Sequence, residues 1–559
     1  MRRRKDRERA ARRERDGPTP PSLLSRVLLG VGAMLLAACG GEAPDGGTEA
    51  PPAGRSGGTA VVGGLAEVPT VNPFFLNDYV GSQLAQEALF VRLVALDADL
   101  RPVPRLARSW SWSGDSTRIT FRLREDVRWH DGDTVDAGDV AFTYRTVRDP
   151  DVGARGRLLF DRWDSVQVVD DHTIRFRVDP GYEPLFAWTR VPVAPEHVLG
   201  DVPPTELSSH PFGTTELVGA GPFRLVEHRP GDRWVLEANP DFPEDLGGPP
   251  LLDRLVYRVV PDGTTLLAEL RGGEVDFYLR VLPAQVDEIR ADTALRLATF
   301  DFPSYSFVAW NSRREPFDEP GVRRALTMGI DRTELVEAGV EGLGTVASGP
   351  VGPWHPAYDT AWRPLPHAPD SARALLAAAG WRDADGDGVR ERDGRPLRFE
   401  LTVPDVSMRR DLAVMIQAQL SEVGVSVQPE IREYGSLVSR LTGSARDFDA
   451  ALLSYQPDLV VDDRDLWSCE RPDAPLHLSG WCDEELDAVM DSAAVATDRE
   501  RRRALLRRYH ESVHRAQPFT FLYFEERAAG LRRSLRGVEL DARGDLVSVG
   551  DWWLERRSR

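Results

Sequence analysis

Apolar positions along the chain switch between a period near two and a period near three and a half. Arg118–Leu123 alternates, with Ile119, Phe121 and Leu123 on one face, which predicts a half-buried strand. Thr173–Val178 alternates in the same way. Residues 59–65 are apolar and β-branched between glycines and read as a strand; residues 223–228 and Arg233–Ala238 flank Pro230-Gly231 as a hairpin. Helical spacing appears at 140–147 behind the N-cap candidate Asp136, and at 264–271 before Gly272-Gly273. It recurs at 323–339, at 371–379 with Gly380 as the stop, and at 412–423 before a strand at 425–431. A long helix at 498–516 ends before Pro518, and an aromatic strand follows at 519–524. Residues 84–96 read as a helix running into a strand. Strands and helices mixed over this length, with no internal repeat, predict an α/β protein of more than one lobe.

The N-terminus breaks this pattern. Residues 1–26 carry ten basic and four acidic side chains, and an apolar run from Val27 to Ala38 follows. That run is short for a membrane span and suits the core of a signal peptide. It ends Leu36-Ala37-Ala38-Cys39-Gly40, which resembles a bacterial lipobox, so residues 1–38 are expected to be a lipoprotein signal peptide and Cys39 the lipidated residue. The alternative is a signal-anchor helix with an incidental Cys. Residues 39–58 hold no bulky apolar side chain and read as a flexible tether. In an exported chain the two remaining cysteines, Cys469 and Cys482, suggest a disulfide. Two free buried thiols are the alternative, and a metal site has only His477 between them to draw on.

Charge narrows the function. The 559 residues carry a formal net charge of −19, which argues against nucleic acid as a partner. The only lysine is Lys5, so no Walker A loop, pyridoxal Schiff base or kinase strand lysine can be built in the folded body.

Short phrases then accumulate in order: Thr70-Val71-Asn72-Pro73-Phe74, Val103-Pro104-Arg105-Leu106-Ala107, Val127-Arg128-Trp129-His130-Asp131-Gly132, Gly219-Ala220-Gly221-Pro222-Phe223, Val322-Arg323-Arg324-Ala325-Leu326, Ala379-Gly380-Trp381 and Phe448-Asp449-Ala450. From about residue 58 to the C-terminus this set resembles the extracellular solute-binding proteins of family 5, the peptide and nickel class of ABC-transporter binding proteins. The resemblance implies a two-lobe periplasmic binding protein fold of type II, with an accessory domain in the first lobe and a hinged ligand cleft. It implies residues 59–105, 219–300 and 528–559 as the main domain of lobe 1, 106–218 as its accessory domain, and 301–527 as lobe 2. It implies no enzymatic activity and no cofactor. The expected partners are a peptide or similar amine-bearing solute, an ABC permease, and the bilayer through acylated Cys39. The expected place is the periplasmic or extracellular face of the cell envelope, as a monomer. A nickel chelate or an oligosaccharide is the alternative ligand.

The same resemblance implies site residues. Asp458 falls at the position that takes a peptide's α-amine, with Tyr455 and Tyr434 as cleft aromatics and Asn77, Asp78 and Tyr79 lining the first lobe. Against these roles stand a turn aspartate, core packing of Tyr434, and a plain surface loop at 77–79.

Two motifs compete. His510-Glu511-Ser512-Val513-His514 matches H-E-x-x-H on a predicted helix and opens a zinc-peptidase reading. The stripe Leu505, Tyr509, Val513 makes that helix a core element instead. Asp383-x-Asp385-x-Asp387-Gly388 mimics the start of an EF-hand, yet the twelfth position is Gly394, so the bidentate Glu is missing. No metal is therefore expected.

Overall fold

The structure, a computed structural model, describes residues 57–179, 184–459, 461–496 and 498–555. The expected signal peptide at 1–38, Cys39 and all but the last two residues of the expected tether lie outside the described residues.

Most strands join one sheet. Its order is Ser426–Arg432, Arg398–Pro404, Ala450–Tyr455, Leu295–Trp310, Phe519–Arg532, Phe277–Tyr278, Thr59–Gly64, Arg254–Val259, Arg233–Ala238 and Phe223–Arg229, with Gly344–Val346 added beside Phe519–Arg532. A separate four-stranded antiparallel sheet runs Ala107–Trp112, Arg118–Leu123, Thr173–Val178 and Trp163–Asp170. Its inward row is the alternating one: Ile119, Phe121, Ile174 and Phe176 are fully buried. The hairpin strands pair across Pro230-Gly231.

The buried residues divide into cores that separate along the two longest strands. In Leu295–Trp310, Leu295 packs with Leu266, Leu270 and Ile289, while Val308 and Trp310 pack with Leu401, Leu412 and Ile416. In Phe519–Arg532, Ala529 and Leu531 join the first-lobe core, and Phe519 and Phe521 join the second. The antiparallel register between the two strands breaks between Asp301 and Tyr305. Phe302, Pro303 and Ser304 fill that break, at the place where the packing changes sides. Pro303 has no N–H for the ladder, which suits an interruption and not a continuous strand. The molecule is thus a two-lobe α/β fold whose lobes share a pair of crossing strands.

The local readings mostly agree with these elements. Asp136 accepts the N–H groups of Gly138 and Asp139 and caps the helix Ala137–Arg148. Gly380 has φ +89°, a left-handed stop after Pro369–Ala378 that a side chain would strain. The helix expected at 323–339 is instead two, Pro320–Gly329 and Arg332–Gly339. Asp331 divides them, because its carboxylate accepts the N–H groups of Thr333 and Glu334 and starts a new helix. The strand expected at 519–524 continues to Arg532.

An S–S bond joins Cys469 and Cys482. It ties the segment after Arg464–Trp467 to the start of Glu484–Val495.

Candidate ligand cleft between the lobes

Two cavities lie where the lobes face each other. The larger, about 580 Å³, is walled by Leu65, Tyr257, Leu279 and Leu282 from lobe 1 and by Val340, Met408 and Arg409 from lobe 2. The crossing strand Phe519–Arg532 supplies Tyr523, Glu525, Glu526 and Arg527. The smaller cavity, about 340 Å³, is lined by Asn77, Arg190, Phe302, Gln456, Asp458 and Arg543. Asp78 and Tyr79 line both.

Asp78 caps the short helix Tyr79–Gln83. Its Oδ1 accepts the N–H of Gly81 at 2.6 Å, while Oδ2 is buried without a partner. Burial raises its pKa above the ordinary carboxylate value. Tyr79 stands edge-on to Phe302, with ring centroids 5.5 Å apart, and the Arg527 guanidinium lies 4.5 Å from the Tyr79 ring centre. The Tyr79 hydroxyl accepts the N–H of Asp545 at 3.2 Å. Arg527 is buried, which lowers its pKa, and its Nε lies 3.5 Å from Glu525. Tyr79 and Arg527 therefore clasp Phe302 at the break between the crossing strands. Asn77 is exposed at the mouth of the smaller cavity.

Asp458 follows the strand Ala450–Tyr455 and faces the smaller cavity. It is about half exposed, and its Oδ1 lies 3.8 Å from Arg190 Nη2 of the opposite lobe. An exposed pair of this kind is worth about 0–1 kcal/mol, so a ligand cation can displace it at little cost.

The structure turns Tyr455 away from the cleft. Side chains alternate along the strand, so Ser454 faces the larger cavity, Gln456 the smaller, and Tyr455 the core between them. There Tyr455 packs against Tyr305 and donates to Asp463 Oδ1 at 3.4 Å. Asp463 is buried, and its Oδ2 accepts from the Tyr509 hydroxyl at 2.5 Å. Burial pushes the Asp463 carboxyl up to about 7. Tyr434 begins the helix Tyr434–Thr442, is 69 % exposed, and lines neither cavity. Of the six positions implied by the resemblance, the cavities bring together Asn77, Asp78, Tyr79 and Asp458.

Sequence reading passed over Arg409. It is 8 % exposed on the floor of the larger cavity, and Nη1 donates to Ser306 Oγ at 2.5 Å. No described carboxylate forms an ion pair with it. A signal was present: Arg409 shares a helical face with Ala413 and Ile416, both buried, and a charge on an apolar face is worth a question.

The competing motifs are accounted for locally. His510 Nδ1 accepts the N–H of Val351 at 3.4 Å, which leaves Nε2 to donate to Ser348 Oγ at 3.2 Å. Burial lowers the His510 pKa to about 3. His514 Nδ1 meets the Ser348 carbonyl at 2.6 Å, and Glu511 pairs with Arg515. Gly349 permits this fit, because a Cβ there would stand 2.7 Å from the His510 ring. Both imidazoles hold the 348–351 loop onto the helix. In the acidic turn, Asp383 accepts from Gly386 and Gly388, and Asp385 from Asp387, so the carboxylates serve the turn's own amides.

A two-lobe fold with a polar-and-apolar cleft at the junction defines a ligand-binding protein. A family comparison carries this further. The model described as "Bacterial extracellular solute-binding proteins, family 5 Middle" matches residues 101–474, and the chain belongs to that family. The chain is similar to the oligopeptide-binding protein AppA of Bacillus subtilis, with 28 % identity over 542 residues, 96 % of this chain and 99 % of the relative. It is 26 % identical to the nickel-binding periplasmic protein of Escherichia coli over 384 residues, 66 % of this chain and 71 % of that one. Among solved structures, AppA of Bacillus subtilis in complex with a nonapeptide superimposes with a TM-score of 0.74 at 27 % identity, over 90 % of this chain and all of that one. Family 5 members are substrate-binding proteins of ABC transporters, act in the periplasm or outside the cell, and are not enzymes. No helix among the described residues is long and apolar enough to cross a membrane.

Proposed function

We propose that this chain captures a peptide, or a similar amine-bearing solute, between its lobes and hands it to an ABC permease. The observation that carries this reading is the charge arrangement of the cleft. One cavity presents Asp458 beside Arg190 and Arg543, the other holds the buried guanidinium of Arg409, which no described carboxylate pairs although Glu525 and Glu526 line the opposite wall, and Asp78 and Tyr79 join them. That arrangement suits a zwitterion laid along the cleft, its amine on Asp458 and its carboxylate on Arg409. Asn77, Asp78 and Tyr79 line the path; Tyr455 sets the strand from the core side, and Tyr434 stands outside both cavities. The protein's overall acidity also draws cations toward it. Neither cavity is lined by a described His or Cys, which favours a peptide over a metal chelate. Residues 301–527 serve as lobe 2, and 106–218 as an accessory part of lobe 1. Cys39 anchors the body to the membrane as a lipoprotein, and the chain acts as a monomer.

The test uses peptides released from the purified protein. Asp458→Asn keeps the size and removes the charge, and should weaken their binding by about 30- to 5,000-fold, the cost of leaving a desolvated ammonium unpaired. Acetylating the peptide amine should cost about as much in the wild type and little more in the variant. Losses that simply add, or a variant that binds like wild type, place the anchor elsewhere.

A further inference from the structure

A third cavity between the lobes lies outside the ligand cleft proper. It measures about 200 Å³ and is formed where the turn at 97–101 of lobe 1 meets the start of the helix Arg499–Ala516 in lobe 2. Asp99 and Arg101, paired with each other, line it on one side; Arg499, Arg502, Arg503 and His355 line it on the other. Arg499, Arg502 and Arg503 stand three and four residues apart, so they share one face of the helix. Like charges at that spacing repel, and a chain as acidic as this one has carboxylates to spare for pairing them. For Arg499 and Arg503 no described carboxylate does this. Arg101 pairs with Asp99 at 2.9 Å, and Asp498 is engaged with the N–H of Arg501 as the helix cap. Arg507, one turn on, pairs with Asp359 at 3.5 Å. Among the described residues no carboxylate pairs with Arg499 or Arg503, and the Arg503 Nε is buried without a partner.

The turn itself is held for contact. Asp97 Oδ1 accepts the N–H groups of Asp99 and Arg101, Leu100 takes a left-handed φ of 56°, and Leu100 packs against the lobe 2 core. Arg499 Nη2 reaches across to the Asp99 carbonyl at 3.0 Å. His355 accepts the N–H of Ala357 on Nδ1 at 3.0 Å, which leaves Nε2–H as a neutral donor. Burial and the three arginines of the helix lower its pKa to about 3, so it adds a donor without adding charge.

We infer that this cavity is a binding site for a tetrahedral dianion, phosphate or sulfate, which would bridge the lobes from a position separate from the transported solute. The guanidinium groups and the imidazole N–H offer charge-assisted hydrogen bonds that no described carboxylate takes up on Arg499 or Arg503. The inference is independent of what the main cleft binds.

Titration calorimetry of the full chain with inorganic phosphate, against chloride at matched ionic strength, tests it. One saturable phosphate per chain is expected, and sulfate should compete. Arg499→Gln with Arg503→Gln should weaken phosphate binding about tenfold or more. Arg101→Gln, on the exposed turn of the other lobe, should weaken it severalfold and decides the matter if the double variant does not fold. Absence of saturable binding up to about ten millimolar phosphate overturns the proposal. So does unchanged affinity in the double variant where it folds, or in Arg101→Gln where it does not.

Discussion

Asp463 and Asp458 lie five residues apart and serve opposite ends. Asp458 is half exposed to the cleft, while Asp463 is sealed beneath it by the hydroxyls of Tyr455 and Tyr509. Because burial raises Asp463 to about 7, the folded protein keeps a proton there that the unfolded chain releases near its ordinary value of 3.8. Between those limits the folded state holds more protons, so this residue's contribution to stability falls as pH rises from about 4 to about 7. Asp463→Asn keeps an acceptor for Tyr509 and cannot ionise. Thermal unfolding followed by circular dichroism should show the variant gaining on wild type across that window, by on the order of a few kcal/mol, then levelling above it. A difference that stays flat with pH contradicts the buried-acid account. Tyr455 shows how far residue-level reading goes. Its position came from the resemblance and not from a strand pattern, and which face it shows depends on the register with Leu295–Trp310, which no local pattern states. Arg409 escaped because a helix start rich in charge reads as solvated until the opposite lobe covers it.

Elements with short periods were legible, and elements that cross between lobes were not. The accessory sheet announces itself because one face is wet, so apolar and polar positions alternate. The strand Leu295–Trp310 is buried on both faces through its second half and interrupted by Pro303, so it shows neither alternation nor a clear run. Its partner was readable only at its aromatic beginning. The helix Arg499–Ala516 was legible from cap to stop, and its His pair is a structural fastening. His510→Ala with His514→Ala should leave solute affinity within a few-fold while lowering the melting temperature, because the 348–351 loop loses both of its fastenings. Stoichiometric zinc in the wild type that disappears in the double variant, with binding lost, would contradict this. The Cys469–Cys482 bond closes a short loop and should contribute about 3 kcal/mol in the chain-entropy view. Thiol labelling of denatured, unreduced protein should find neither cysteine reactive; two labelled thiols contradict the bond.

The whole molecule follows from the two crossing strands. Separate cores on either side of residues 302–304 make each lobe a rigid unit, and the break in the ladder between Asp301 and Tyr305 gives the pair somewhere to bend. Tyr79, Phe302 and Arg527 meet at that bend; Tyr79 borders both cavities, Phe302 the smaller and Arg527 the larger, so on the proposed function a solute in the cleft would touch the bend. On the proposed function, binding would then shift the population between open and closed lobes. The central claim is that the cleft holds a peptide, and native mass spectrometry of protein purified without denaturation tests it most directly. The account predicts one non-covalent occupant per chain, released on denaturation, whose fragments are those of peptides with a free α-amine. An occupant that proves to be a metal chelate or a saccharide contradicts it.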